Sequence, residues 1–258
     1  MREASLLDRV SRCAVTRRGR DGITGLYWCL AGLDGICAWS AGPEAEAALN
    51  DALRRLAAGL RCASAMPAGG LLGLGWGDTS ADALAAAWQD LFLCAIRVKL
   101  KRHSLTLPDA AAADPALWSE VKERYRAAGR RAALKDCSML KGYPVLALCV
   151  DGVLTPGTGT TWRATVLDCV SRDVRRRLFG TPPGIAARPD DAPSFYAAAR
   201  FHEDAAEALD DYLAMAKRYD ATVRARELSV DGLSIFRIFT EDSDPEWYAE
   251  NALDWQSD

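Results

Sequence analysis

The chain has 258 residues, half of them apolar, with 26% charged residues and a formal net charge of −3. That length supports a sizeable core, read here as a single domain over residues 1–258 with a soft boundary near 104–114. The charge disfavours a general nucleic-acid binder, which needs a cationic surface; no run of about 18 apolar residues offers a membrane span, and Met1–Asp8 lacks the long apolar segment of a signal peptide.

Ser5 to Val15 fits a short helix or a strand equally. Asp21-Gly22 closes a charged turn, Asp34-Gly35 makes a second, and apolar alternation between them predicts a three-stranded antiparallel meander over Cys13–Trp39. Pro43 opens a helix with Leu49, Leu53, Leu56 and Leu60 as its apolar stripe. Met66 to Gly77 is dense in glycine, which means close backbone approach or positive φ, in either a short kinked strand or a loop against the core. Asp78-Thr79-Ser80 caps a helix running to about Lys101, with Cys94 in its apolar stripe and a basic end from Arg97 to His103. Leu105–Ala113 reads as a linker, and Asp114-Pro115 starts a helix whose outer surface is basic through Lys135.

The densest apolar β-type run is Val145, Leu146, Leu148 and Val150, which suits a strand covered on both faces near the middle of a sheet. A Gly/Thr turn and a helix from Trp162 to Phe179 follow it. Residues 180–193 are Pro- and Asp-rich and read as a flexible loop. Pro193–Tyr219 is one helix or two broken near Glu203; a hairpin around Asp231-Gly232 comes next, then an acidic terminal helix. Hairpins at both ends with helices between favour an α+β fold: a largely antiparallel sheet built from hairpins, with about six strands and about six helices.

The chemistry offered is sparse. Eight cysteines are scattered without a Cys-x-x-Cys pair, and only two histidines exist, so no metal or cofactor is expected and the thiols read as buried and free in a cytoplasmic protein. Heavy use of Ala and Arg with little Lys associates the chain with a GC-rich bacterial genome. Asp151-Gly152-Val153-Leu154-Thr155 after a buried strand resembles the start of a haloacid dehalogenase-type phosphatase. That family's nucleophilic Asp stands two residues before the second Asp, where this chain has Cys149, so an Asp-Gly hairpin turn is preferred.

Thr158, Gly159, Thr160 and Thr161, with Arg163 nearby, lie between strand and helix, where backbone amides can hold a phosphate or carboxylate. The Walker lysine and the dinucleotide glycine pattern are missing, and Thr160 or Thr161 also suits a helix cap. His202 with Glu203, Asp204 and Glu207 gathers groups suited to acid–base or metal chemistry, or to a solvated helix start. Arg97–His103 and Lys122–Lys135 form one basic surface if their helices pack together, which also admits a weaker RNA-binding or nuclease reading. The acidic C-terminus bears Trp247, Tyr248 and Trp255. With no catalytic constellation evident, the preferred expectation is a non-enzymatic bacterial binding protein: an adaptor, an immunity-type inhibitor or an assembly component. Its partner is another protein, met through Arg124, Arg130, Arg131, Trp247, Tyr248 and Trp255. The alternative is an enzyme or sensor that binds a small phosphate- or carboxylate-bearing ligand at Thr155–Thr161.

Overall fold

Every strand pairing in the computed structural model of the protein is antiparallel among the described residues, which are 5–63, 72–102, 106–138, 142–180, 185–187, 198–218, 223–230 and 232–240. The elements run α1 (Leu6–Cys13), β1 (Val15–Arg20), β2 (Tyr27–Leu33), β3 (Ile36–Gly42), α2 (Ala45–Ala63), β4 (Leu72–Gly77), α3 (Ser80–Arg102), α4 (Pro115–Ala127), β5 (Ala132–Asp136), β6 (Val145–Val150) and β7 (Val153–Thr158). They continue with α5 (Trp162–Phe179), β8 (Ile185–Ala186), α6 (Ala205–Arg218), β9 (Val223–Glu227) and β10 (Ser234–Thr240). The fold is α+β with six helices among the described residues, as expected. The strands form three sheets rather than one, ordered β1-β2-β3, β4-β10-β9 and β5-β6-β7-β8.

The meander is the first sheet. Ser5 settles the ambiguity at its start: its hydroxyl accepts from the Asp8 N–H at 3.2 Å and caps α1. Asp34 and Gly35 (φ 51° and 79°) join β2 to β3, and Asp151 and Gly152 (φ 50° and 82°) join β6 to β7. Paired left-handed residues make the two-residue hairpin turn whose twist matches the flanking strands. Asp151 is therefore a turn residue; its carboxylate accepts from the Arg131 N–H at 2.9 Å and from Arg130 at 3.1 Å. Asp21-Gly22 behaves differently. The β1–β2 connection is a longer loop in which Asp21 accepts from the Thr24 N–H and hydroxyl, each at 2.7 Å, and Gly25 takes the positive φ. Gly152 has no atom within 4 Å of an added Cβ, so Gly152→Ala tests backbone strain alone. A loss of about 1 kcal/mol in urea unfolding is expected.

β6 is central in its sheet and buried on both faces, as its unbroken apolar run implies. The basic surface expected through Lys135 is interrupted. α4 ends at Ala127, Gly129 turns at φ 72°, and residues 132–136 pair with β6 as β5, with Leu134 buried. The stretch read as a linker runs beside β5: the Ala110 N–H donates to Leu134 O and the Asp136 N–H to Pro108 O, both at 2.9 Å. The 180–193 loop falls mostly outside the described residues. No helix among the described residues is long and apolar enough to cross a membrane.

The C-terminal part of the glycine-dense stretch is the edge strand β4 (Leu72–Gly77), and its earlier part lies outside the described residues. Gly73, Gly75 and Gly77 alternate with Leu74 and Trp76, so the glycines share one face. On that face a Cβ would overlap the backbone of Ala83, Ala87 or Leu91 on α3. Close approach, not positive φ, is what these glycines permit. α3 lies directly on β4, with Trp88, Leu91, Phe92, Leu93 and Ile96 buried around it.

Candidate functional site

Six elements contribute to the wall of a cavity of about 220 Å³. β3 supplies Trp39, α2 supplies Arg55, β4 supplies Trp76, and the end of β7 supplies Thr158. Gln89, Asp90 and Arg97 come from one face of α3; Asp168, Ser171, Arg172 and Arg175 come from one face of α5. Asp90 and Arg97 are seven residues apart, and Asp168, Arg172 and Arg175 follow at four and three, intervals that align side chains along a helix.

The polar groups here are held in place. Asp168 Oδ2 accepts from the Thr158 N–H at 3.0 Å and from Arg172 Nε at 2.8 Å. Asp90 accepts from the Leu74 N–H at 3.0 Å, which ties α3 to β4 at the cavity wall. Trp39 Nε1 donates to the Ser171 hydroxyl at 3.2 Å, and this link joins the first sheet to α5. The Arg55 guanidinium lies 4.6 Å over the Trp76 ring, and its approach to Asp51 is a loose 4.0 Å. Gln89 and Arg175 are each only 7% exposed. Four guanidiniums face two carboxylates along this wall, so the cavity is cationic inside a protein that is acidic overall.

The turn singled out by sequence borders the cavity only through Thr158, whose hydroxyl donates to Pro144 O at 3.0 Å. Gly159 lets the chain pass close to Ala164 and Thr165 at the start of α5. Thr160 Oγ1 accepts from Gln89 Nε2 at 2.8 Å, and the same amide donates to the Tyr212 hydroxyl at 3.2 Å. Thr161 is the cap of α5, accepting from the Ala164 N–H at 3.1 Å. Arg163 is exposed and 3.4 Å from Asp114. His202 sits beside this turn, its N–H donating to Thr160 O at 3.0 Å, and its imidazole lies 3.3 Å from Asp211 and 3.7 Å from Glu207.

Arg124 donates to the Thr24 carbonyl and to Glu120. Arg130 and Arg131 engage Asp151 as described, and both are exposed. Trp247, Tyr248 and Trp255 lie outside the described residues. Five of the eight cysteines are buried, and burial pushes the Cys62 thiol up to about 11 against the pull of Arg237 and Arg61. Cys137 and Cys169 are also raised by burial, so these three are poor thiolates.

No protein-family profile matches the chain, and no curated protein sequence does. Solved structures do. A heterocyclase in complex with substrate and cofactor superimposes with a TM-score of 0.51 at 14% identity, over 65% of this chain and 27% of that one. The heterocyclase TruD gives 0.51 at 13% identity, over 65% and 28%. The YcaO protein from Methanopyrus kandleri, bound with AMPPCP and Mg2+, gives 0.57 at 10% identity, over 94% and 89%. At these identities the likeness is one of fold, and the chain spans a little over a quarter of the first two proteins.

This likeness overturns the expectation of a non-enzymatic adaptor, immunity-type inhibitor or assembly component, and with it the expectation that another protein is the main partner. That expectation rested on the lack of a short catalytic motif. The charged cavity has no such motif, because α3 and α5 supply its polar groups from places far apart in the chain.

Proposed function

We propose that the chain is an enzyme of the heterocyclase type of fold that binds a phosphate-bearing small ligand, with a nucleotide triphosphate first in line, in the cavity between α2, α3 and α5. The observation that carries the reading is the convergence of Arg55, Arg97, Arg172 and Arg175 on one cavity wall. Guanidinium groups match phosphate oxygens in pairs, and in a site shielded from water they stabilise negative charge as it develops. AMPPCP is an ATP analogue, and its presence on a protein of the same fold supports ATP over other phosphates. The cavity is below the usual ligand-pocket range of about 300–1,000 Å³, so it suits the phosphate chain better than the whole nucleotide. The Gly/Thr turn takes part through Thr158 at the wall. Eight free thiols favour a reducing, cytoplasmic setting.

A magnesium ion fits this wall poorly. Among the described residues no group of three His, Cys, Asp or Glu side chains is placed to hold a metal. Asp168 already accepts from Arg172 and from the Thr158 N–H, and Asp90 from the Leu74 N–H. A dication about 6–8 Å from a guanidinium meets repulsion on the order of 4–6 kcal/mol at an effective dielectric near 20. The residues that remain bind, orient and neutralise a phosphate chain.

Thermal unfolding tests the reading. ATP, AMPPCP or pyrophosphate should raise the melting temperature where adenosine does not, since a ligand bound only by the native state stabilises it. Arg97→Ala with Arg172→Ala should abolish the shift. The reading fails if millimolar phosphate ligands leave the wild-type transition unmoved.

A further inference from the structure

We infer that guanidiniums alone hold the ligand's phosphates in this cavity, so that binding needs no divalent cation. The inference rests on the phosphate-site reading above and adds how the charge is neutralised.

Three observations support it. First, the wall carries twice as many guanidiniums as carboxylates, an arrangement that repels a metal ion and attracts a bare polyphosphate. Second, both carboxylates serve the fold: Asp168 orients Arg172 and receives the Thr158 N–H, while Asp90 anchors β4 through Leu74. All three bonds run to Oδ2, and they fix the direction of each carboxylate along the wall. Third, Arg55 keeps unused donor capacity at the wall. It is fixed over the Trp76 ring, its only ion-pair approach is the 4.0 Å one to Asp51, and its Nε has no hydrogen-bond partner among the described residues. A donor fixed in this way suits an acceptor-rich ligand, whereas a metal ion offers it nothing.

The volume argues the same way. Magnesium sheds its waters reluctantly and usually keeps several of them. A cavity of about 220 Å³ leaves a phosphate chain and a hydrated ion little room side by side. Magnesium in solution should then act as a competitor that withdraws the phosphate from the guanidiniums.

Isothermal titration of the full chain with ATP, and separately with inorganic pyrophosphate, in excess EDTA and in excess magnesium, provides the test. Affinity in EDTA equal to or higher than that in magnesium is the expected result. Weaker binding in EDTA overturns the inference while leaving the phosphate site in place. Absence of binding in both buffers overturns the inference and the proposed function together. Two variants, each checked for an intact unfolding transition, sharpen the result. Arg172→Ala should weaken binding in EDTA roughly tenfold or more, the value of one charge-assisted hydrogen bond. Asp90→Asn keeps an acceptor for the Leu74 N–H and removes a negative charge, so pyrophosphate should bind it as tightly as the wild type or more tightly. A metal ligand lost at that position would weaken binding instead, and that outcome also counts against the inference.

Discussion

Asp173→Ala should destabilise the protein by roughly 3–5 kcal/mol, the usual effect of removing one partner from a buried ionic network. Asp173 is fully buried in α5 and accepts from the Tyr125 hydroxyl at 2.7 Å, from Arg177 Nε at 2.8 Å and from Arg176 Nη2 at 2.7 Å. Arg177 reaches on to Asp21 with a fork of two bonds at 2.8 and 3.0 Å. One connected set of side chains therefore ties α4, α5 and the β1–β2 loop together. Alanine at 173 orphans a buried phenol and leaves Arg177 with one carboxylate in place of two. Urea unfolding of the variant gives the cost directly, and a loss under about 1 kcal/mol would mean that the network contributes little.

The same network predicts a pH dependence. Burial pushes the Asp21 carboxyl up, but the hydrogen bonds from Arg177 and Thr24 outweigh it and hold the group below its ordinary range. A carboxyl whose pKa is lowered by folding contributes stability that is complete above its unfolded value, about 3.9, and disappears as pH falls through its lower folded value. The wild type should thus lose part of its stability below about pH 4, and Asp21→Asn should lose less over the same interval. Burial, with Asp173 next, pushes the Tyr125 hydroxyl well above its ordinary range, so it stays a neutral donor and takes no part in this transition.

Local patterning made the hairpins readable. Two of the Asp-Gly pairs adopt the left-handed turn they announce, and the unbroken apolar run at Val145–Val150 is the buried central strand of its sheet. Asp21-Gly22 misled because the Asp21 side chain, through Thr24 and Arg177, imposes a longer loop than the dipeptide alone would form. The cavity was legible only in fragments. Arg97 stood out as part of a basic helix end and Thr158 as part of a Gly/Thr turn, but nothing local shows that they meet. Asp168, Arg172 and Arg175 drew no separate reading within the Trp162–Phe179 helix. In the fold Asp173 and Arg175 on that stretch are buried, because α5 is covered by β3, β6 and β7. Tertiary packing, absent from any local window, makes one face of this helix the wall of a site.

Gly75→Ala should cost about 3 kcal/mol or more, well above the usual effect of a glycine-to-alanine change in a strand. An added methyl would overlap the Ala83 carbonyl and the Ala87 N–H of α3, and helix backbone cannot rotate aside as a flexible side chain would. The helix must retreat from β4 by the depth of that methyl, with Gly73 and Gly77 losing their contacts as well. Such a retreat also reaches the cavity. Trp76 and Leu74 lie on the opposite face of β4, and the Leu74 N–H holds Asp90 of α3 at 3.0 Å across the same seam. Chemical unfolding of Gly75→Ala, set beside pyrophosphate titration of the same variant, should show stability and affinity falling together. A variant within about 0.5 kcal/mol of the wild type would show that helix and strand are not in backbone contact, and the geometry assigned to the cavity would go with it.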